Sequence, residues 1–315
     1  MAITATEWIA ADDDVGLRLD KFLAAAARLG SRGRAATALE RGQVFLNDQE
    51  ASGADGSRRL AKGDVVRLWL DRPGSAQRRP HLHASPDLDV IFEDDTLVVI
   101  NKPAGLLSVP LERKPEVPSV YGQIEDRLRS RGKRRPFIVH RIDQGTSGLV
   151  VFALDSRAQQ RLRAQFARRL PERVYLAVVY GCPSPGSGTW RDSLAWDERA
   201  LIQKETHRQD PAGMEAIAEY RTLETFRDAS LIEVQLRTGR RNQIRIQARL
   251  RGHTLVGEAR YTFGPPSLRP IAFPRPALHA FRLGFAHPVD GRPLAFEAAP
   301  PPDLDDLLRR LRRTR

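Results

Sequence analysis

A segment rich in proline, glycine and charged residues divides this chain of 315 residues into two unequal parts. The segment, DRPGSAQRRPHLHASP, spans Asp71 to Pro86 and shows no helical or strand period of apolar residues. We therefore predict a linker at 73–86 between a domain at 1–72 and a larger domain at 87–303. The two histidines in HLH have no acidic or thiol partner nearby, so we expect no metal site there.

The residues before the linker predict a compact basic module of two short helices and a small sheet. The sequence RLDKFLAAAARLG places Leu19, Phe22 and Leu23 at helical spacing and ends at Gly30. Ser31 is the N-cap of a second helix, SRGRAATALERG, whose arginines point outward. The runs QVFLNDQEA and GDVVRLWLD have the composition of strands.

After the linker, sequences typical of strands and helices intermix. DVIFEDDTLVVINKPAGLL predicts two strands and a turn, VYLAVVYG and SLIEVQLRTG predict further strands, and SRAQQRLRAQFARRL predicts a basic helix. In the segment 304–315, LDDLLRRLRRTR, the leucines form one stripe opposite arginines. We predict a docked amphipathic helix there, because the apolar stripe is short for a helix that lies on a membrane.

The net charge is the main guide to the partner. Lys and Arg number 51 against 39 Asp and Glu, which gives a formal net charge of +12 and a pI near 10.5. This excess favours a polyanion, with nucleic acid before an acidic membrane. MAITATEWIAADDD has an acidic run where a signal peptide is positive, and no apolar stretch approaches the roughly 20 residues of a membrane helix. We expect a cytoplasmic protein with no membrane partner.

Several chemistries have no support in the sequence. The chain has no GxxxxGKS or GxxxxGKT phosphate loop, no GxGxxG that opens a helix after a strand, and no HExxH. The single cysteine, Cys182, excludes an internal disulfide and a thiolate metal site. We therefore expect no nucleotide hydrolysis, no dinucleotide redox chemistry, no metal and no cofactor.

A polar run, HRIDQGTSGLVVFA, stands directly before a strand of the buried type. Its His140, Asp143 and Ser147 do not suit a Ser-His-Asp triad, because a triad needs side chains from separate elements and a serine on a sharp elbow. A loop of this kind can also hold one functional carboxylate through its polar neighbours. From the residues alone, a loop-capping aspartate is the simpler explanation of Asp143.

The same run resembles the HRLDxxTSGLLLxA signature of the RluA family of pseudouridine synthases, with Ile142 in place of leucine. Four other family blocks occur in the family's order and extend the resemblance over essentially all of 87–303. These blocks are DVIFEDDTLVVINKPAGLLSVP, ERVYLAVVYG, LRTGRRNQIRIQARLRGH and LHAFRLGFAHPVDGRPLAFEAAPPPDL. The first domain resembles the alpha-L RNA-binding domain in RLDKFLA, SRGRAATALERGQVFLND and KGDVV. By resemblance, the chain is identified as a RluC/RluD-like member of this family.

The resemblance implies that uridine in RNA is isomerised to pseudouridine: the glycosidic bond breaks, the uracil turns, and its carbon 5 joins the ribose. Asp143 is the implied catalytic carboxylate, which attacks the anomeric carbon or promotes a glycal intermediate. This role suits the positive charge that glycosidic cleavage builds on the sugar. Arg245 is implied to pair with Asp143 and to lower its pKa. Tyr175 is implied to stack on the flipped base and to help remove its carbon 5 proton.

The resemblance also implies an RNA-binding surface. The residues that it assigns to RNA binding are Arg32, Arg34 and Arg41 in the first domain and His140, Arg141, Arg240 and Asn242 in the second. His140 and Arg141 are further assigned to flipping the base out of its stack. The expected partner is ribosomal RNA of the large subunit, with transfer RNA as the alternative, and we expect a monomer.

The implied fold class is α+β: a small N-terminal α/β RNA-binding module plus a mixed, mostly antiparallel-sheet catalytic domain. The chain departs from the family where Asn242 and Gln247 replace histidines and where Gly257-Glu258 replaces Gly-Asp. The first departure motivates one alternative, a non-catalytic RNA-binding or ribosome-assembly protein with the same fold. A glycosidase-like hydrolase that releases free base is a second alternative, and it needs a second carboxylate for which we find no motif.

Overall fold

The computed structural model describes residues 6–313 apart from Arg41, Asp48, 69–87, 112–116, 131–134, Arg199, Leu201, Arg208 and 263–269. The chain divides into two compact units, Met1–Ala84 and Ser85–Arg315. The predicted linker at 73–86 and the predicted phosphate contact Arg41 both lie outside the described residues.

The first unit combines a four-stranded antiparallel sheet with two helices. Its elements are β1 (Thr6–Ile9), α1 (Leu19–Leu23), α2 (Arg32–Glu40), β2 (Val44–Leu46), β3 (Gln49–Ala51) and β4 (Val65–Leu68). The strands lie in the order β1-β4-β2-β3. Apolar side chains of both helices and of the sheet form one core, which includes Leu19, Phe22, Leu39, Val44 and Val66.

The first helix is shorter than its apolar spacing predicts, because α1 ends at Leu23 and not at Gly30. The Arg28 guanidinium lies 3.3 Å from the centre of the Phe22 ring and donates a hydrogen bond to the Phe22 carbonyl at 2.8 Å. The Arg28 side chain thus takes a hydrogen-bond acceptor that the next turn of the helix would use.

The second helix presents the predicted arginines to solvent. The Arg34 N–H donates to Ser31 Oγ at 3.2 Å at the start of α2, as expected of an N-cap serine. Arg32 and Arg34 are both exposed on this helix.

The second unit is built on one sheet of eleven strands. Its elements are β5 (Asp89–Glu93), β6 (Leu97–Lys102), α3 (Val120–Ser130), β7 (Phe137–Ile138), β8 (Ser147–Ala153), α4 (Ser156–Ala167), β9 (Glu172–Tyr180), β10 (Ser187–Asp197), β11 (Ile202–Thr206), β12 (Met214–Thr225), β13 (Ala229–Leu236), α5 (Gln243–Leu250), β14 (Leu278–Ala286), β15 (Pro293–Glu297) and α6 (Pro302–Arg313). The strand order is β11-β10-β12-β13-β9-β14-β8-β6-β5, with β15 paired to β14 and β7 to β8. Among these described strands only β8 and β14 pair in parallel, so the prediction of a mixed, mostly antiparallel sheet is confirmed.

The last helix packs on the sheet through its apolar stripe. Leu304, Leu307, Leu308 and Leu311 of α6 are buried in one cluster with side chains of β9 and β13. Within the described part of the chain, no helix is both long and apolar enough to cross a membrane.

Gly148 allows the parallel contact between β8 and β14. It lies opposite Ala280, and its φ is +107°. A Cβ atom added at this position would lie 2.2 Å from the Ala280 carbonyl oxygen, which is far inside van der Waals contact. Only glycine fits here without a shift of the backbone.

We expect the substitution Gly148→Ala to lower the free energy of unfolding by about 3 kcal/mol or more, because it combines backbone strain with a clash inside the sheet. Urea denaturation measures this loss. Gly186→Ala is the matched control, since a Cβ atom there meets nothing within 4 Å and the φ of Gly186 is not positive. Equal losses in the two variants would contradict the prediction.

Candidate active site

A pocket of about 700 Å³ lies where the loop before β8, the end of α4, strand β9 and the segment between β13 and α5 meet. The structure brings all seven predicted site residues of the second domain to its wall. These residues are His140, Arg141, Asp143, Tyr175, Arg240, Asn242 and Arg245. Further arginines also line it, namely Arg163, Arg169, Arg173 and Arg237. Asp143 is the one carboxylate among the described lining residues.

Hydrogen bonds to backbone hold the loop that carries Asp143. Ser108 Oγ donates to the Ile142 carbonyl at 2.7 Å and accepts from the Ile142 N–H at 3.2 Å. On the other side of Asp143, the Gly105 N–H donates to the Gln144 carbonyl at 2.8 Å. The residues on both sides of the carboxylate are therefore fixed to a neighbouring segment.

Lys102 supports this loop from the core and was missed by the sequence analysis. Its side chain is fully buried, and its Nζ donates to the carbonyls of Pro103, Leu106 and Gln144 at 2.8, 2.8 and 3.1 Å. Burial lowers the pKa of Lys102 to about 7, the nearby Arg275 adds to this, and Asp143 opposes it. The available signal was a lysine in NKPAGLL, directly after a buried strand.

Arg275 ties the same loop to the last helix. Its Nε and Nη2 donate to the two carboxylate oxygens of Asp303 in α6, at 2.7 and 2.9 Å. Its Nη1 donates to the Gly145 carbonyl at 3.2 Å. A contact made by α6 therefore reaches to within two residues of Asp143.

The pKa of Asp143 is raised, which is opposite to the predicted direction. Burial of the carboxyl is the largest influence and outweighs Arg245, which lowers the pKa as predicted. The side chain is 29% exposed, toward the pocket, and its Oδ2 lies 3.6 Å from Arg245 Nη1. Asp143 is therefore a carboxylate at the edge of solvent that depends on its cationic neighbours for its charge.

Arg245 is itself anchored by Glu258, a second residue that the sequence analysis did not assign. Arg245 Nε and Nη2 donate to the two Glu258 oxygens at 2.6 and 2.7 Å. Glu258 also accepts from the backbone N–H groups of Arg260 and Tyr261. Burial raises the pKa of Glu258, but the hydrogen bonds and charge of Arg245, with the two backbone N–H groups, outweigh this and lower it. The signal for Glu258 was its place in the family's Gly-Asp position.

Asn242 stands behind Arg245. It has left-handed backbone (φ +53°) directly before α5; its Oδ1 accepts from Arg245 Nη1 at 2.9 Å, and its Nδ2 donates to Tyr261 Oη at 3.0 Å. Both ends of this buried amide are engaged inside the protein. Asn242 therefore supports Arg245, and its assignment to RNA binding stays a prediction.

Gln247 is the other residue that departs from the family pattern, and it forms hydrogen bonds in a polar network on the inner side of α5. Its Nε2 donates to Asp192 Oδ2 at 2.7 Å, and its Oε1 accepts from Gln243 Nε2 at 3.0 Å. On the same helix Ile244 and Ile246 enter two different core clusters, and Arg245 projects between them to the pocket. Helical geometry therefore sets the direction of the Arg245 side chain.

Tyr175 lies in the pocket wall on β9. Its side chain is 8% exposed, and burial raises its pKa to about 12, with Arg173 acting against this and Asp143 adding to it. The phenol is therefore protonated at neutral pH, and its ring offers a flat surface beside the carboxylate.

His140 and Ser147 face different partners, so the rejection of a triad agrees with the structure. His140 stacks on Phe166 with ring centres 4.7 Å apart, and its Nε2 accepts from the Val151 N–H at 3.2 Å. Burial lowers the pKa of His140 to about 3, so it brings no charge to RNA binding. Ser147 is buried and lies 3.0 Å from Nδ1 of His279.

The chain is similar to known proteins in sequence and in fold. The family model described as RNA pseudouridylate synthase matches residues 96–250. An uncharacterized RNA pseudouridine synthase of Bacillus subtilis, YlyB, is 34% identical over 308 residues, which cover 96% of this chain and 97% of that protein. A ribosomal large subunit pseudouridine synthase D of Zymomonas mobilis is 34% identical over 312 residues, 95% of each chain. In fold, the chain is similar to human RNA pseudouridylate synthase domain containing 4, with a TM-score of 0.58 at 20% identity over 71% of this chain and 92% of that one.

We expect Glu258→Gln to lower the free energy of unfolding at pH 7 by about 3 kcal/mol, because it leaves the buried Arg245 without a full countercharge. A glutamate with a lowered pKa contributes stability above its usual value of 4.5 and loses it as the pH falls through the lowered value. The difference in free energy of unfolding between wild type and variant, measured by urea denaturation, should therefore become smaller as the pH falls below 4.5.

The matched control is Glu219→Gln, which removes one carboxylate from the exposed, doubly bonded pair with Arg237. An exposed pair of this kind contributes less than about 1 kcal/mol. If Glu258→Gln lowers the free energy of unfolding by no more than this control does, Glu258 does not anchor Arg245.

Proposed function

This chain belongs to the RluA-type, RluD-like family of RNA pseudouridine synthases, and on that premise we propose that it converts specific uridines of large-subunit ribosomal RNA into pseudouridine. The observation that carries the proposal is the arrangement of Asp143, Tyr175 and Arg245 around one pocket lined by arginines. Ribosomal RNA is favoured because relatives from Zymomonas mobilis and Neisseria meningitidis bear the name ribosomal large subunit pseudouridine synthase D. We place the activity in the cytoplasm, and transfer RNA is the alternative substrate.

In the proposed reaction, Asp143 acts on the ribose. Its carboxylate attacks the anomeric carbon, or promotes loss of a neighbouring proton to give a glycal, while the bond to uracil N1 breaks. The leaving uracil carries the bonding electrons, delocalised over its oxygens, so this step requires no second carboxylate. In the first route, carbon 5 bonds to the anomeric carbon as the ester bond to Asp143 breaks; in the second, carbon 5 adds to the glycal and the neighbouring ribose carbon regains its proton. The carbon 5 proton is then lost to water and N1 takes one up, so atoms and charge balance.

Tyr175 and Arg245 have separate roles in this proposal. The ring of Tyr175 stacks on the flipped base, and its high pKa makes the neutral phenol a poor acceptor for the carbon 5 proton at neutral pH. Arg245, held by Glu258, supports the ionised form of Asp143 without pairing with it fully, since the distance between them is 3.6 Å. The carboxylate thus keeps its nucleophilic electron pairs for the sugar.

The arginines of the pocket wall are proposed to bind the RNA backbone. Arg141 and Arg163 are exposed at the pocket, and Arg240 donates through its Nε to the Glu215 carbonyl, which orients it there. Guanidinium groups bind phosphate oxygens in a forked geometry, and a wall of them attracts a polyanion.

The two other readings of the sequence now have less support. A hydrolase would need a second carboxylate to activate water. Among the described lining residues, Asp143 is the only carboxylate, so this second group is missing from the pocket wall. The non-catalytic reading was motivated by Asn242 and Gln247, and in the structure Asn242 still supports Arg245.

The decisive test is release of tritium from RNA that contains uridine tritiated at carbon 5 and lacks pseudouridine. We expect release by the wild type and a fall of about a thousandfold or more for Asp143→Asn, which keeps the shape of the side chain and removes its charge. The RNA affinity of the variant is the control for its fold. Release of free uracil would indicate the hydrolase, and no release by wild type from ribosomal or transfer RNA would indicate the non-catalytic protein.

We also propose that the first domain contributes phosphate contacts through Arg32 and Arg34. Deletion of 1–72 should weaken RNA binding and flatten its salt dependence, while isomerisation of a minimal stem-loop persists. In the full-length chain, the double substitution Arg32→Gln, Arg34→Gln should lower the slope of log affinity against log salt by about 1.5, since each lost phosphate contact removes roughly 0.7–0.9. Unchanged affinity and slope in both variants would argue against a role of this domain.

A further inference from the structure

Arg173, on β9, is a buried cation without a countercharge. It is 9% exposed, and among the described residues no carboxylate forms an ion pair with it. Its one hydrogen bond is from Nη2 to the Leu236 carbonyl at 3.4 Å, and its buried Nε has no partner. The comparably buried Arg245 and Arg275 differ, because each has a doubly bonded carboxylate.

The guanidinium of Arg173 lies in the wall of the pocket beside the proposed catalytic residues. Arg173 and Tyr175 are two residues apart on one strand, so their side chains point to the same face of the sheet, about 7 Å apart along it. The Arg173 charge acts on this site: after burial, which raises the pKa of Tyr175 and lowers that of His140, Arg173 is the next influence on each and favours the lower pKa. Its Nη1 lies so close to Gly239 that a Cβ there would be 2.6 Å away.

A buried guanidinium that lacks a carboxylate costs free energy in the protein alone. An anion that enters the pocket would supply the missing charge. Phosphate oxygens fit the fork of donors that guanidinium presents. In a nucleotide, the phosphate lies one sugar ring away from the base, and Arg173 and Tyr175 follow each other on the same face of β9 at the usual strand spacing of about 7 Å.

We infer that Arg173 binds a backbone phosphate of the RNA at the reacting nucleotide and so fixes the ribose between this contact and Asp143. The inference rests on the proposed function for its substrate, and it adds a positioning contact to that site. The other pocket arginines that are proposed to bind phosphate are exposed or partly exposed, whereas Arg173 is buried.

The test uses Arg173→Met, which keeps an unbranched apolar stem and removes the charge. Without RNA, the variant should unfold at the same temperature as wild type or higher, because the uncompensated cation is gone. Its affinity for an unmodified transcript of large-subunit ribosomal RNA should fall about tenfold or more, and the slope of log affinity against log salt should fall by about one. Binding is measured in chains that also carry Asp143→Asn, so that no turnover occurs.

The matched control is Arg221→Gln, an exposed arginine outside the pocket that pairs with Glu233 at 3.0 Å, and we expect it to change neither affinity nor slope. Arg173→Lys should keep the wild-type slope, since it keeps the charge. Wild-type affinity and slope in Arg173→Met would overturn the inference. So would a lower unfolding temperature of Arg173→Met with unchanged RNA affinity, which would make Arg173 a structural residue.

The last measurement compares unfolding temperatures with and without inorganic phosphate. If phosphate raises the unfolding temperature of wild type but not of Arg173→Met, while RNA binding is equal in both, the site takes a free anion and the RNA assignment is overturned. Failure of the proposed function is separately visible, because it appears as absence of tritium release by wild type and does not enter these binding measurements.

Discussion

The site depends on keeping one carboxylate charged in a place where burial opposes the charge. Asp143 is surrounded by arginines but pairs fully with none of them, since Arg245 is held back by its two bonds to Glu258. Burial raises the pKa of Asp143 and Arg245 lowers it. In the proposed reaction, this balance decides how readily Asp143 takes the ionised form that acts on the sugar.

The geometry of the carboxylate is set by backbone contacts from distant parts of the chain. Lys102 and Ser108 bind carbonyls beside Asp143, and Gly148 lets β8 begin against β14 immediately after the loop. Lys102, Ser108 and Gly148 thus support the loop from outside it. Their contacts explain why a loop can hold a carboxylate in a fixed position.

The sequence predicted the parts of this site that lie in short motifs. The ordered family blocks predicted that Asp143, Tyr175 and Arg245 belong to one site, strand composition predicted individual strands, and the resemblance implied the mixed sheet. Glu258 and Arg173 were not assigned, because their roles depend on which distant side chains they meet or fail to meet. The same limit explains the wrong direction of the Asp143 pKa and the early end of α1: burial and a folded-back arginine are tertiary effects that local spacing does not record.

The link from Asp303 through Arg275 to the Gly145 carbonyl has a consequence for biosynthesis. Asp303 belongs to α6, which leaves the ribosome after every other described element of the chain. The loop around Asp143 is made early but gains its last support only when this helix has docked. A nascent chain can therefore hold Arg32 and Arg34, proposed to bind RNA, well before the loop around Asp143 has its last support, which would separate recognition from chemistry in time.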